Sequence, residues 1–355
     1  MNSNIEINKP TPLAIDENII SYNRRMDVEP IIKALNEGKQ VRIDELYNDG
    51  IFLLKEINRH LKSKLPNKSF HEQQEYRAEY QRISNLVLVE IVGQKLNVKK
   101  APEIGWLEKF YTDNNQFLLT FPQVQGLNSS WQWYENGISI PVLRNKLHPY
   151  YGIYFPTRFE HLTLFDNWLK RYQGPKKSAI DVGVGCGVLS LQMVQHGFQK
   201  IFGTDINPNA IAGLIDFMGT TKLSRKIELD FAPFFGKWDK PTELIVFNPP
   251  WLPASDFVKG MDQAIYYDEN LFPNFFVAAK ERLLADGKIV LLFSNIAQIT
   301  QVTKEHPIEK EIAEGGRFKL ERVFKKSVGA ASEKTKRDPH WRSDEEVELW
   351  ELTHI

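Results

Sequence analysis

Three apolar runs in this chain end in an acid and a fourth ends in an amide. The run Leu244-Ile245-Val246-Phe247 stops at Asn248-Pro249-Pro250-Trp251, so a strand delivers an amide, two prolines and an indole to its carboxyl edge. Proline has no N–H to give to a ladder, so the pair ends the strand and stiffens the backbone beyond it. Alone, this is equally a strand-terminating turn. Upstream, a short run from Ser178 leads into Asp181-Val182-Gly183-Val184-Gly185-Cys186-Gly187. Glycines at alternate positions let a ligand lie against the backbone. A dinucleotide fingerprint, G-x-G-x-x-G, needs glycine at 188, where this chain has Val188. The pattern is D-x-G-x-G-x-G, and a carboxylate at the loop mouth repels a pyrophosphate but pairs with a cationic amino-acid head. The next run ends at Asp205-Ile206, where an acid is placed to accept both hydroxyls of a ribose or to cap the helix beside it. A third ends at Asp230-Phe231, where the carboxylate could accept from an adenine amino group and the ring could flank its face. Three acids at successive strand ends beside a glycine loop reinforce one another.

The elements that must carry these residues alternate from residue 150 onward. Strands are expected over Ser178–Asp181, Lys200–Thr204, Ile227–Leu229, Leu244–Phe247, Gly287–Phe293, Lys319–Phe324 and Val347–Leu352. Helices fall between them at Gly187–His196, from Pro208 (a favoured first-turn position), at Asn274–Leu284 and at Ala297 to about Ala313. Such alternation implies βαβ units and a parallel sheet, whose ligands bind at the carboxyl ends of its strands.

The first 149 residues have a different texture. An irregular arm runs to about residue 25, and helical patterns follow at Val28–Leu35, Ile43–Leu65 and Phe70–Leu96, although Leu88–Val92 also reads as a buried strand. Gln116–Phe121 reads as a strand. Trp131–Glu135 and Ile138–Ile140 flank Asn136-Gly137, a strong hairpin signal. Trp131, Trp133 and Tyr134 are expected to pack against a sheet rather than to form a binding platform. A boundary is placed between 149 and 150, with a helical, hairpin-ended domain for substrate recognition before it.

Taken in order, Asp181 to Gly187, Asp205, Asp230 and the Asn-Pro-Pro-Trp tetrapeptide resemble the class I S-adenosylmethionine-dependent methyltransferases over roughly residues 150–355. The resemblance implies a Rossmann-like α/β fold with a seven-stranded, mostly parallel sheet, and S-adenosylmethionine as cofactor. Within that class the tetrapeptide marks enzymes that methylate planar nitrogen, either exocyclic amines of adenine and guanine or the glutamine amide of release factors. Tyr154-Phe155-Pro156-Thr157-Arg158-Phe159-Glu160 is similar to the proline-containing segment of the glutamine enzymes that borders the methionine end of the cofactor. By that likeness Phe155, Pro156, Thr157, Asp181, Gly183, Gly185, Gly187, Asp205, Ile206, Asp230, Phe231 and Asn248 bind cofactor. Asn248, Pro249, Pro250 and Trp251 hold the acceptor: the Asn248 oxygen and Pro249 carbonyl accept its N–H groups and Trp251 stacks on it. The glutamine enzymes usually have tyrosine at the position of Trp251 and a compact helical N-terminal domain.

Composition narrows the rest. Lys+Arg and Asp+Glu are both 45, so the formal net charge is zero and a non-specific phosphate binder is disfavoured. The lysine-rich stretch 325–337 leaves a local phosphate contact open, and a protein acceptor, a release factor in particular, is favoured over an RNA or DNA base. A non-catalytic cofactor-binding module is a further alternative, opposed by the intact Asn248 and glycine loop. The single cysteine, Cys186, fits a reducing, cytoplasmic setting and, at a helix N-terminus, could have a lowered pKa. No membrane-spanning run or signal peptide is expected. The eight histidines lack paired ligand spacing, so no metal is expected.

Overall fold

The computed structural model describes residues 5–65, 70–219, 221, 223–254, 264–329 and 344–355. The chain divides into two units, Lys9–Glu135 and Met1–Asn8 with Asn136–Ile355.

The first unit holds strands β1 (Ile20–Tyr22), β2 (Val41–Ile43), β3 (Val87–Val92), β4 (Lys95–Leu96) and β5 (Gln116–Thr120), and helices α1 (Val28–Asn36), α2 (Tyr47–Lys64), α3 (Phe70–Ser84), α4 (Gly105–Phe110) and α5 (Phe121–Asn136). Strand β2 pairs in parallel with β1 and β3, and β3 pairs antiparallel with β4 and β5. A helical domain closed by an aromatic hairpin is therefore not what forms. Leu88–Val92 is a buried strand, and its hairpin turns at Gly93-Gln94, both at positive φ. Trp131, Trp133 and Tyr134 lie on helix α5. Trp131 meets Trp106 edge-on at 5.3 Å, and Tyr134 lies 4.6 Å from the same ring. Gly137, at φ +66°, takes the left-handed conformation just past the end of α5. An Asn-Gly pair serves a helix C-terminus as readily as a hairpin, because both need positive φ.

The division falls after Glu135 rather than at 149. Residues beyond it are tied to the second unit: Arg144 N donates to Gln195 Oε1 at 3.0 Å, and Gln195 Nε2 donates to the Val142 carbonyl at 3.1 Å.

The second unit runs α6 (Glu160–Arg171), β6 (Ser178–Val182), α7 (Val188–Gln195), β7 (Lys200–Asp205), α8 (Pro208–Gly219), β8 (Ile227–Phe231), β9 (Thr242–Phe247), β10 (Leu252–Pro253), β11 (Tyr266–Tyr267), α9 (Leu271–Arg282), β12 (Leu283–Ser294), α10 (Ile296–Ile299), α11 (Pro307–Lys310), β13 (Phe318–Ser327) and β14 (Glu346–His354). In place of one helix over Ala297–Ala313, α10 and α11 are single turns, with a π-helical turn over Glu311–Gly315. Seven strands form one sheet in the order β13-β14-β12-β9-β6-β7-β8. Strands β12, β9, β6, β7 and β8 are parallel, and β14 is antiparallel to both its neighbours. This is the seven-stranded, mostly parallel architecture expected.

Alternation along β14 assigns the two faces of the sheet. Trp350 and Leu352 join a cluster with Phe272, Phe275 and Phe276 of α9. Glu351, between them, turns the other way and accepts from Trp168 Nε1 of α6 at 2.9 Å. The α9 rings recur at helical spacing and seat on the strands: Phe275 on Phe247 at 4.8 Å, Phe272 on Phe293 at 5.7 Å and Phe276 on Phe318 at 5.9 Å. Each such ring stabilises the unit by roughly 1.5–3 kcal/mol on burial. That packing fixes the end of β9, where the tetrapeptide begins.

Candidate active site

Strand β6 has β7 on one side and β9 on the other, so the order in which the strands are laid down reverses there and a crevice opens at the carboxyl ends. A cavity of about 530 Å³ occupies it, a size that suits a nucleoside-sized ligand. Of the expected residues, Pro156, Gly183, Gly185, Asp205, Ile206, Asn248 and Pro250 line this cavity.

The glycine loop and Asp205 are bonded to each other. Gly185 sits at φ +50° and donates its N–H to Asp205 Oδ2 at 2.8 Å, while Asp205 Oδ1 accepts from Asn207 N at 2.8 Å. Each carboxylate oxygen keeps a second lone pair, so the loop bonds leave acceptors for a diol. Burial raises the Asp205 pKa and the N–H groups of Asn207, Gly185 and Ile206 oppose that rise. Asn207 also donates to the Gly152 carbonyl at 2.9 Å, and Asn209 to the Tyr151 carbonyl at 2.8 Å. These bonds tie the segment that carries Pro156 to the strand edge.

Gly187 has a different task. It holds φ +82° at the start of α7, and a Cβ there would stand 2.5 Å from Leu214 Cδ2, so its bareness serves helix packing. Asp181 lies buried below the loop. Ser190 Oγ donates to its Oδ2 at 2.6 Å, and its Oδ1 is buried without a hydrogen-bond partner. Burial pushes this carboxyl up to about 7. Asp181 itself does not line the cavity, whose wall here is Val182, Gly183 and Gly185; its unpartnered oxygen lies behind that wall, where it fits a cationic head through charge rather than contact. Cys186 is buried, and desolvation lifts its thiol to about 12, outweighing the helix N-terminus expected to lower it.

At the end of β9, Asn248 and Pro250 face the cavity and Pro249 is buried. Trp251 is half-buried at the edge of the apolar cluster between the sheet and α9 and is not among the residues of the cavity wall. Its Nε1 donates to Asn248 Oδ1 at 3.2 Å, and its ring meets His161 edge-on at 5.5 Å.

Several expected residues lie elsewhere. Asp230 closes its own turn: Oδ2 accepts from Lys237 N at 2.9 Å, and Lys237 Nζ stands 3.7 Å from Oδ1. Phe231 is exposed, as is Thr157, and Phe155 is half-buried; none of the three lines the cavity. The wall where Asp230 and Phe231 were expected is made by Ala232, Pro233 and Phe234, the last at φ +48°. No residue pattern signals that conformation for a phenylalanine. His161, Tyr266 and Asp268 also line the cavity and were missed. His161 had a signal, since it follows the proline-containing segment directly. It is buried with Nδ1 unpartnered, and desolvation lowers its pKa to about 4.

Among the described residues no group of three His, Cys, Asp or Glu could hold a metal ion, and no helix is long and apolar enough to cross a membrane. The part of the lysine-rich stretch from 330 onward lies outside the described residues.

Residues 161–248 match the family model for ribosomal protein L11 methyltransferase (PrmA). A Methanocaldococcus jannaschii protein, provisionally named a protein N5-glutamine methyltransferase, is 31% identical over 128 residues, which are 34% of this chain and 56% of that protein. EEF1A lysine methyltransferase 2 of Mus musculus is 32% identical over 73 residues, 19% of this chain and 30% of that one. The matches thus span little more than half of the first relative and under a third of the second. The crystal structure of a ribosomal protein L11 methylase from Lactobacillus delbrueckii subsp. bulgaricus aligns with a TM-score of 0.38 at 16% identity, covering 57% of this chain and 82% of that one. Residues 161–248 of the unit from Asn136 onward are thus similar in sequence to methyltransferases, and the seven-stranded sheet with its switch-point cavity is the architecture that this likeness implies.

Proposed function

We propose that this protein is an N-methyltransferase that acts on a planar nitrogen, with a protein glutamine amide as its acceptor. The observation that carries this reading is the placement of Asn248 and Pro250 on the wall of the same cavity as Gly183, Gly185 and Asp205. Bound S-adenosylmethionine supplies a methyl group on a sulfonium, ready for in-line transfer. The chain's own residues have two tasks. Asp205 and the glycine loop hold the nucleoside through the free lone pairs and the open backbone. The Asn248 oxygen and the Pro249 carbonyl accept the two N–H groups of the acceptor nitrogen and draw its lone pair out of conjugation.

An amide nitrogen is a poor nucleophile because that lone pair is delocalised. Two acceptors on a backbone stiffened by consecutive prolines therefore act through position and preorganised charge. No base is needed before transfer, since the alkylated nitrogen is acidic and sheds its proton afterwards. The glutamine acceptor is supported by the neutral charge balance, by the Pro156 segment and by the provisional name of the M. jannaschii relative. A reducing cytoplasmic setting belongs to the same reading, supported by the lone free cysteine.

The test is methyl transfer from tritiated S-adenosylmethionine into a cell lysate by the full chain. Label is expected in the protein fraction, released as methylamine on acid hydrolysis. Label in purified nucleosides would replace the amide with an exocyclic amine of adenine or guanine in RNA or DNA. Absence of both label and cofactor binding by calorimetry would overturn the methyltransferase reading.

A further inference from the structure

Within the acceptor site proposed above, Trp251 stands differently from the stacking platform that its residue type suggests. Its indole is half-buried at the edge of the apolar cluster to which the α9 phenylalanines belong, and meets the buried ring of His161 edge-on, 5.5 Å away with planes at 90°. Asn248, Pro250 and His161 line the cavity; Trp251 does not. What it contributes toward the acceptor is one N–H, which reaches Asn248 Oδ1 at 3.2 Å.

The identity of that donor matters because of a property of carboxamides. The oxygen and the NH2 of an asparagine are nearly the same size, so a half-turn exchanges two acceptor lone pairs for two donors. Only one orientation can accept an N–H from an acceptor nitrogen; the other meets it donor to donor. Indole is a donor with no acceptor capacity, so it bonds the oxygen and rejects the NH2. A tyrosine hydroxyl, being both, would tolerate either. The oxygen bonded to the indole keeps a second lone pair for the acceptor. Pro249 and Pro250, between the two partners in the chain, hold the spacing over which this bond is made.

We propose that Trp251 is a positioning residue: its indole N–H locks the Asn248 carboxamide in the orientation that presents Oδ1, and its ring is not the surface on which the acceptor lies. This inference rests on the reading of Asn248 as the acceptor clamp, and its test separates the two. In the 15N-labelled full chain, the Trp251 indole signal is assigned by its loss in Trp251→Phe and the Asn248 amide pair by its loss in Asn248→Asp. The indole proton is expected to be protected from exchange and to move downfield in Asn248→Asp, where the bond becomes charge-assisted. The Asn248 pair is expected to shift in Trp251→Phe. An indole proton that exchanges freely and is indifferent to residue 248, with an Asn248 pair indifferent to Trp251→Phe, overturns the proposal without any acceptor being known.

The kinetic arm uses tritiated methyl transfer to the lysate acceptor at saturating cofactor. Trp251→Phe keeps the ring and removes the donor, so kcat is expected to fall roughly tenfold, about the worth of one such bond, with the KM for S-adenosylmethionine and the thermal midpoint unchanged. In Asn248→Asp, where both oxygens accept, the same change is expected to cost no more than about twofold. A stacking role gives the opposite pattern: near-full activity in Trp251→Phe and an equal loss in both backgrounds for Trp251→Ala. Loss of activity in Asn248→Ala together with unchanged behaviour in Trp251→Phe would keep the acceptor clamp and refute the lock.

Discussion

The candidate site and its surround hold two buried groups whose titrations oppose each other, and separating them tests the electrostatics of the pocket. Asp181 is raised from 3.8 to about 7 by burial, against the Ser190 hydrogen bond. Its native pKa lies above its unfolded one, so the folded state binds the extra proton between those values, and stability is lost as pH rises through about 7. His161 is lowered from 6.5 to about 4, again by burial. There the unfolded state binds the extra proton, so stability is lost as pH falls from 6.5 towards 4. At about 1.4 kcal/mol per unit, Asp181 contributes a fall of about 4 kcal/mol with rising pH and His161 a rise of about 3 kcal/mol over the overlapping window. Between pH 4 and 6.5 the two nearly cancel.

Asp181→Asn removes one limb. Urea denaturation of the ligand-free chain from pH ~4 to pH ~8 is expected to show the stability of the variant minus that of the parent growing by several kcal/mol across the window. His161→Asn is expected to show its largest advantage over the parent at the acid end, shrinking as pH rises. Any pH-independent cost of the new side chains appears as a constant offset and drops out of the comparison. A difference curve for Asp181→Asn that is flat over the whole range refutes the assignment of a buried, proton-holding carboxyl beneath the loop. The same group links pH to ligand: an ammonium held above the loop favours the ionised acid, so cofactor affinity is expected to strengthen as pH rises through about 7.

Three further outcomes follow from the geometry. If Asp205 holds the ribose as proposed, Asp205→Ala removes two charge-assisted bonds worth about 1.5–3 kcal/mol each, so calorimetry is expected to show cofactor affinity weakened by roughly 10²–10⁴-fold, and a 2′-deoxy cofactor analogue should lose less against the variant than against the parent. Asn248→Ala is expected to bind S-adenosylmethionine within a few-fold of the parent while methyl transfer falls by roughly 10²–10³-fold, the scale for loss of a preorganised charge-stabilising group. Gly187→Ala forces a side chain to φ +82° and into Leu214, and is expected to cost about 1–3 kcal/mol in chemical denaturation.

The parallel sheet could be read from the chain because most of its strands carry a short apolar run punctuated by glycine, proline or an acid; β12 extends beyond its run, back to Leu283. The first unit hid itself for two physical reasons. Strands β1 and β2 are three residues long, too short for any periodicity to register. In α5 the strand-like alternation of Trp131 and Trp133 beside Asn136-Gly137 masked a helical series, Val124, Leu127, Trp131 and Tyr134, spaced by three and four. The first two of these are buried, and both rings of the pair pack on Trp106. A longer window would have favoured the helix. The dipeptide could not decide, because positive φ is common to both of its uses.

At the site the strand ends were legible, but not the direction in which each side chain would be spent. A carboxylate at the end of a strand has two sources of donors, a ligand and its own backbone turn, and the spacing of acids along the chain is the same for both. Asp205 shows that the two are compatible: one N–H occupies each oxygen and leaves room for a second. Asp230 shows the alternative. The turn that follows it brings Lys237 back onto the carboxylate, and Gly236 passes so close that a Cβ there would lie 2.3 Å from Oδ2. Glycine at 236 is therefore the residue that distinguishes them, because only a bare backbone lets the chain fold down onto the acid. Trp251 follows the same logic at the end of β9. The two prolines fix the backbone between Asn248 and Trp251, and with its ring at the edge of the apolar cluster the polar edge of the indole is directed back at Asn248.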